Sequence, residues 1–259
     1  MNKKINTEKL KPETSYTIWF SQRTGSTLLA QTLASTGVAG NPGEWLLETS
    51  GDREREGVLN PEDYRRMIWQ KGSTPNGVCG VKLSFFEPFI TETISIFSTL
   101  PEFRNKRASL GEIWDQVFPN CRHIFMTRRN KIRLAVSWWK AIQSGEWHRQ
   151  KGAKPAEADL ANAYSFEAIN HLLVESVFRE AGIQSFFAEV GIQPLTIVYE
   201  DFIADYTGTV QSVLAYLGLD WHNIQIGKPE TTKLADALSD EWVQRFRQER
   251  QQGWDHRGW

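Results

Sequence analysis

The 259-residue sequence predicts an α/β fold in which a central parallel sheet is flanked by helices on both faces. Short apolar runs alternate with segments whose apolar residues recur at helical spacing, which is typical of parallel strands joined by crossover helices. Each apolar run ends in polar or charged residues, and ligands of parallel sheets bind beyond the carboxyl ends of the strands. With 40% hydrophobic residues, one core is expected, so we predict a polar tail over residues 1–14 and a single domain over residues 15–259.

Four runs rich in β-branched and aromatic residues are the strand candidates. The first, SYTIWF, leads into a turn-prone loop, and the second, VCGVKL, follows a cluster of Gly, Ser, Pro and Asn. The third, CRHIFMT, runs into two arginines, and the fourth, PLTIVY, runs into two carboxylates. Their ranges are Ser15–Phe20, Val78–Leu83, Cys121–Thr127 and Pro194–Tyr199.

The helix candidates have apolar residues three or four positions apart. This spacing over Leu160–Val190 predicts one long helix or a broken pair. Polar, Pro-containing segments predict loops over Leu100–Ser109, Lys151–Asp159 and Gly227–Leu238. The other predicted helices are Thr27–Ser35, Pro61–Gln70, Glu87–Ser98, Lys131–Ser144, Val210–Leu219 and Ser239–Arg250.

Composition excludes several classes of protein. The formal net charge is -1, from 30 basic and 31 acidic residues, so no overall field attracts nucleic acid or a membrane surface, and any anion site is local. The two cysteines, Cys79 and Cys121, exclude a disulfide scaffold. The five histidines are scattered, without the spacing of a metal site. With no secretory signal and no apolar run of about 18 residues, we expect a cytoplasmic protein without a transmembrane segment.

The loop SQRTGST, residues 21–27, joins the first strand to the first helix and is a candidate phosphate site. Backbone N–H groups at a helix N-terminus suit an anion, and Gly25 permits close approach. Ser26 and Thr27 add hydroxyl donors, and Arg23 adds a fixed positive charge. The loop lacks the first glycine and the Gly-Lys pair of a Walker A motif, which argues against an ordinary NTPase or kinase. The alternative is a simple turn at Gly25 followed by a helix cap.

A second basic segment, RRNK, closes the third strand and opens the next helix. Arg128 and Arg129 suit a second phosphate, and Ser137 lies about two helical turns further on. The alternative is a solvated basic helix start. Because positive charge is unfavourable at the N-terminus of a helix, this arrangement favours an anionic partner.

Candidates for recognition of a second substrate follow the first helix and the second strand. Glu44 comes after a glycine-rich segment and precedes Trp45, so its carboxylate could take a proton from an attacking hydroxyl beside an aromatic wall. The alternative is an ordinary surface carboxylate. Lys82 ends the second strand, and Trp138 follows the second basic segment. Eleven tryptophans are many for this length, and indole rings stack on sugars as well as packing in cores.

Four segments together resemble the bacterial sulfotransferase family typified by trehalose 2-sulfotransferase, which includes related glycan and lipopolysaccharide sulfotransferases. They are SQRTGSTLLAQTLASTGVAGNPGEW, TPNGVCGVKL, RRNKIRLAVSWWKA and DEWVQRFR, in matching order from about Ser15 to about Arg247. The resemblance implies a P-loop-like three-layer fold, the donor PAPS (3′-phosphoadenosine 5′-phosphosulfate) and the product PAP. It also implies a homodimer, because relatives form dimers.

The resemblance implies roles for the candidate residues. Glu44 would be the general base for the acceptor hydroxyl, and Arg128 or Arg129 would hold the 3′-phosphate together with Ser137. Lys233 stands near a basic position of the family and would contact the donor. Besides binding the donor, Arg23 would neutralise charge that develops during transfer. The 5′-phosphosulfate would be wrapped by Gln22, Arg23, Thr24, Gly25, Ser26 and Thr27.

The predicted activity is metal-free, in-line transfer of a sulfuryl group from PAPS to a hydroxyl of a small-molecule or glycan acceptor. We expect Trp45, Lys82 and Trp138 to line the acceptor pocket. A lipid or polyketide-like alcohol is the alternative acceptor. Two other classes stay open: a metal-dependent nucleotide phosphotransferase, with Glu200 and Asp201 as its acidic residues, and a non-catalytic glycan-binding protein.

Overall fold

A computed structural model describes residues 10–47, 49–149, 152, 154, 158–160, 162–228 and 236–254 of the chain. Its centre is a four-stranded sheet in which every pairing is parallel, with the order β2-β1-β3-β4. This confirms the predicted α/β fold with a central parallel sheet. The strands are β1 (Thr14–Phe20), β2 (Val78–Ser84), β3 (Arg122–Thr127) and β4 (Leu195–Val198).

Ten α-helices occupy the described part of the chain, and a short 3₁₀ turn, Pro101–Phe103, lies between the fourth and the fifth. The helices are α1 (Ser26–Ser35), α2 (Ser50–Arg55), α3 (Pro61–Gly72), α4 (Glu87–Phe97), α5 (Leu110–Val117), α6 (Lys131–Ser144), α7 (Phe166–Val190), α8 (Tyr199–Ala204), α9 (Tyr206–Tyr216) and α10 (Ala237–Gln251). No helix among these residues is long and apolar enough to cross a membrane.

The sheet is covered on both faces because alternate side chains of β1 point in opposite directions. Tyr16, Ile18 and Phe20 pack in a cluster with α1 and α9, whereas Trp19 packs in a second cluster with α3, α4, α5 and α7. A third apolar cluster joins α6, α7 and α10 at the side of these layers. This arrangement leaves the carboxyl ends of the strands open for a site.

Several helix boundaries differ from the prediction, and capping explains them. Helix α7 is one unbroken helix that begins six residues later than predicted, since Ser165 accepts a hydrogen bond from the Ala168 N–H and caps it. Helix α9 begins four residues early, behind the cap Asp205. The unpredicted helix α5 follows a capping box between Ser109 and Glu112.

Two short helices, α2 and α8, were also not predicted. The fourth strand is shorter than predicted by one residue at each end, and α8 begins directly after it at Tyr199. The predicted loops Lys151–Asp159 and Gly227–Leu238 lie partly outside the described residues, and the second is cut short by α10, which begins at Ala237.

Candidate active site

A cavity of about 340 Å³ lies beyond the carboxyl ends of β1, β2 and β3. Six of its lining residues are cationic and two are carboxylates, so the site is strongly positive in a chain whose net charge is -1. Among the described residues, no group of three or more His, Cys, Asp or Glu side chains is placed to hold a metal ion. The charged lining residues are Arg23, Lys82, Arg128, Arg133, Lys140, Arg149, Glu44 and Glu146.

The loop after β1 has a backbone shape that a change of residue would disturb. Gly25, the N-cap of α1, has a φ of 86°, and a Cβ there would lie 2.7 Å from the Tyr199 ring. Arg23 also has a positive φ, 64°, which is rare outside glycine and is found at strained functional sites. Because the first N–H groups of a helix have no partner inside it, α1 presents unpaired donors beside the cavity.

The predicted loop residues divide into those that line the cavity and one that shapes the loop. Thr24 is fully buried, and its hydroxyl donates to the Ser21 carbonyl at 3.0 Å. Gln22 lines the cavity and donates to the Ser84 hydroxyl at 3.0 Å. Arg23, Gly25, Ser26 and Thr27 also line the cavity.

Arg23 reaches across the cavity and bonds to two uncharged acceptors. Its Nε donates to the Ser137 hydroxyl at 3.0 Å, which brings these two predicted residues together, and its Nη1 donates to the Trp147 carbonyl. Burial, together with the nearby charge of Arg128, lowers the pKa of Arg23 to about 10. The guanidinium is still charged at neutral pH and is available to an anion.

Arg128 is a buried cation with an unused hydrogen-bond donor. Only 8% of its side chain is exposed, and its guanidinium lies 4.6 Å from the centre of the Tyr199 ring. Burial lowers its pKa. The Nε atom is 3.7 Å from a Glu200 oxygen and makes no hydrogen bond within the described residues. A buried guanidinium donor without a partner fits a bound anion.

Arg129 lies outside the cavity wall. Its side chain is 60% exposed and makes a bidentate ion pair with Asp201, at 2.8 and 2.5 Å. Glu200 accepts the backbone N–H groups of Arg129 and Asn130 at 3.0 and 3.2 Å. Burial acts to raise the pKa of Glu200, but these N–H groups outweigh it and lower the pKa. The carboxylates of α8 therefore balance the positive start of α6 from within the chain, and Arg129 needs no external anion.

Glu44 and Lys82 form an ion pair at one side of the cavity. The Lys82 Nζ lies 2.7 Å from a Glu44 carboxylate oxygen and donates to the Thr27 hydroxyl at 3.0 Å. The Lys82 backbone N–H donates to the Gly43 carbonyl at 2.9 Å, and Gly43 pairs with Val81 beside β2. The sheet edge thus positions a carboxylate next to the loop that follows β1.

The two tryptophans that were predicted to line an acceptor pocket, Trp45 and Trp138, are not among the residues that line this cavity. Trp45 donates its indole N–H to the Asn41 carbonyl at 2.8 Å and packs over Gly43, where a Cβ would overlap the ring, so it holds the Glu44 segment in place. Trp138 is only 6% exposed and packs between α6, α7 and α10. Successive residues of a helix point about 100° apart, so Ser137 faces the cavity while Trp138 faces the core.

Sequence reasoning found Ser137 but missed the other members of a polar stripe on α6. Arg133, Ser137, Lys140 and Ser144 all line the cavity, at spacings of four, three and four residues. Lys140 pairs with Asp236 at 2.5 Å, beside the start of α10. Helical spacing counted from Ser137 would have found these residues. Lys233, the other predicted donor contact, lies outside the described residues.

The segment after α6 was also missed, because nothing in its spacing marks it. The helix is capped by Gly145, whose φ is 69°, and the four residues that follow line the cavity. Trp147 and His148 line the cavity, and the His148 Nε2 lies 3.2 Å from the Thr27 hydroxyl oxygen. Partial burial, with the charges of Arg23 and Lys82, lowers the pKa of His148 to about 4, so the ring is uncharged at neutral pH.

Comparisons with known proteins agree with this geometry. The family model described as Stf0 sulphotransferase matches residues 15–249. A trehalose 2-sulfotransferase of Mycolicibacterium smegmatis is 32% identical over 92% of this chain and 96% of its own, and one of Mycobacterium tuberculosis is 31% identical over 90% and 94%.

Among solved structures, a sulfotransferase from Alicyclobacillus acidocaldarius superposes with a TM-score of 0.50 at 14% identity, covering 90% of both chains, and supports the fold. The family match spans nearly the whole domain, including the loop after β1 and the basic start of α6. The chain belongs to the Stf0 sulphotransferase family and is a sulfotransferase.

Proposed function

We propose that the protein transfers a sulfuryl group from PAPS to a hydroxyl of a carbohydrate, with a trehalose-type disaccharide as the acceptor. One observation carries this proposal: the Glu44 carboxylate lies 2.7 Å from Lys82, whose ammonium also contacts Thr27 in the phosphate-binding loop. A potential base therefore adjoins a cationic cavity suited to an anionic donor. The names of the two curated relatives support the sugar acceptor.

The donor's two anionic ends fit two parts of the cavity. The free N–H groups at the start of α1 and the Arg23 guanidinium suit the 5′-phosphosulfate. The unpaired Arg128 Nε and the Ser137 hydroxyl suit the 3′-phosphate. The Arg23 guanidinium is bonded to uncharged groups, and the Arg128 Nε lies 3.7 Å from Glu200 without a hydrogen bond, so an anion can bind without breaking a hydrogen-bonded ion pair.

The reaction requires one bond to form and one to break at sulfur. The acceptor oxygen bonds to sulfur while the bond between sulfur and the bridging phosphate oxygen breaks, and PAP leaves with that electron pair. Glu44 takes the hydroxyl proton. Lys82 and Arg23 stand where charge develops on the sulfuryl and bridging oxygens, and fixed cations of this kind stabilise the transition state. These residues need no metal ion for this chemistry.

The phosphotransferase alternative loses its main candidates in the structure. Asp201 is paired with Arg129, and Glu200 accepts the N–H groups at the start of α6, so neither carboxylate lines the cavity. A lipid acceptor is also less well matched, because eight of the residues that line the cavity are charged. A polyol suits such a wall better.

Calorimetric titration with PAP in EDTA, with ATP and Mg²⁺ as the comparison, tests the donor. We expect preferential, metal-independent binding of PAP. Labelled PAPS with trehalose then tests the acceptor, in parallel with a long-chain alcohol. Metal-dependent preference for ATP would contradict the sulfotransferase mechanism proposed here, and transfer to the alcohol but to no sugar would contradict the carbohydrate acceptor.

A further inference from the structure

The segment Gly145–Arg149 runs along the cavity wall and is anchored on the loop that follows β1. The Trp147 carbonyl accepts from Arg23, and the His148 imidazole approaches the Thr27 hydroxyl at 3.2 Å. The turn is closed by a bidentate pair in which Arg149 donates to Glu146 at 2.6 and 2.5 Å. The segment therefore keeps a defined position relative to the donor loop.

The anchoring of Trp147 uses its main chain, so the indole ring is not needed for this contact. Trp147 is one of the residues that line the cavity, and 40% of it is exposed. Most of the other described residues that line the cavity are charged or hydroxyl-bearing, and the Trp147 indole is the largest aromatic ring among them. The apolar C–H face of a sugar ring matches such a surface by size and by polarity.

His148 adds a hydrogen-bonding group that carries no charge at neutral pH. A neutral imidazole has one donor and one acceptor nitrogen, which is the pattern that an alcohol can satisfy. Thr27 also accepts a hydrogen bond from Lys82, which is paired with Glu44. The Thr27 hydroxyl therefore connects the imidazole to this ion pair. A hydroxyl held there would be next to the base.

We propose that Trp147 and His148 form the acceptor subsite, with the indole under a sugar ring and the imidazole hydrogen-bonded to a sugar hydroxyl. This inference rests on the proposed carbohydrate sulfation. It replaces Trp45 and Trp138, which the fold uses for packing. Because Arg23 holds the Trp147 carbonyl, a side-chain substitution at residue 147 removes the platform and keeps the contact with the donor loop.

The test compares Trp147→Ala and Trp147→Phe with Phe178→Ala, which removes a 70% exposed aromatic ring from α7 that does not line the cavity. Acceptor KM and kcat are measured with trehalose and labelled PAPS, and PAP affinity is measured by calorimetry. We expect Trp147→Ala to raise the acceptor KM about tenfold, with PAP affinity within about twofold. Trp147→Phe should recover most of the loss, and Phe178→Ala should match the wild type.

His148→Ala and His148→Gln test the second half of the subsite. The alanine variant should lose about tenfold in kcat/KM for the acceptor, and the glutamine variant, which places an amide near the Nε2 position, should recover part of it. Unchanged acceptor kinetics in both alanine variants would overturn the inference while leaving the proposed function intact. Equal losses in PAP affinity would assign the segment to the donor site instead. Wild-type protein that binds PAP and sulfates no sugar would overturn the proposed function and the subsite with it.

Discussion

Replacing Arg128 or its neighbour Arg129 by methionine separates a ligand-binding arginine from a structural one. Methionine keeps an unbranched apolar stem, so at position 128 it can still pack on the Tyr199 ring that the guanidinium covers at 4.6 Å. The two arginines are adjacent in sequence, yet only Arg128 lines the cavity, whereas Arg129 is paired with Asp201.

The expected magnitudes follow from these environments. A hydrogen bond to a charged group contributes about 1.5–3 kcal/mol, which corresponds to about 10-fold to 150-fold in affinity. Because the Arg128 Nε is buried and unpaired among the described residues, its loss should appear in PAP binding at this scale. An exposed ion pair such as Arg129–Asp201 contributes about 0–1 kcal/mol to stability, and its loss should leave PAP affinity unchanged.

Calorimetric titration tests whether Arg128 binds the 3′-phosphate. Both variants are titrated with PAP and with adenosine 5′-phosphosulfate, which lacks this phosphate. We expect Arg128→Met to weaken PAP strongly and adenosine 5′-phosphosulfate by about twofold or less. Thermal unfolding of each variant reports whether the fold is retained. Equal weakening of the two ligands by Arg128→Met, or a loss of PAP affinity in Arg129→Met of the same size, would refute the assignment of Arg128 to the 3′-phosphate.

Three further predictions concern the base, the loop and the core. Glu44→Gln should retain PAP affinity and lose transfer by at least about 100-fold, because general-base catalysis contributes at this scale; normal turnover would place the base elsewhere. Gly25→Ala should unfold at a lower temperature than Gly37→Ala. Both glycines have a positive φ, but only at Gly25 would a Cβ meet another side chain, the Tyr199 ring. Gly25→Ala should also lower the affinity for PAP. Burial lowers the pKa of His123 to about 4 in the folded protein, whereas an unfolded histidine has a pKa of about 6.5. Between pH 6.5 and 4 the unfolded chain therefore binds this proton in preference to the folded one, and the free energy of unfolding decreases as the pH falls. Urea unfolding at pH 7 and pH 5 should show a loss of about 2 kcal/mol from this group that is absent in His123→Gln.

The sheet and the position of the loop between β1 and α1 could be predicted because their signals are local. Each strand is a short apolar run bounded by turn residues, and each prediction falls within two residues of the observed ends. Helix α5 carried a readable capping box at Ser109, so it was overlooked rather than hidden. Helix α8 has six residues and begins directly after β4, which leaves no room for a periodic pattern.

The rest of the cavity wall could not be predicted in the same way, since it depends on which side chains contact one another in the folded chain. The sequence places Arg128 next to Arg129, but the carboxylates of α8, about 70 residues away, decide which one is paired at the surface. Trp138 is a partial exception, because helical phase alone shows that it cannot share the direction of Ser137. Nothing local distinguishes Trp147 from the other tryptophans in polar surroundings.

The way in which the cavity cations are paired indicates how the site accepts an anion. Arg23 donates to a Ser137 hydroxyl and a Trp147 carbonyl, both uncharged, so a phosphosulfate that binds to other N–H groups of this guanidinium gains a charge-assisted bond without breaking an ion pair. Lys82 is different, because its ammonium lies 2.7 Å from Glu44. Sulfuryl oxygens that draw Lys82 towards the loop would loosen this pair and leave the carboxylate free to accept a proton. We therefore expect the same lysine to link occupation of the proposed donor site to activation of the proposed base.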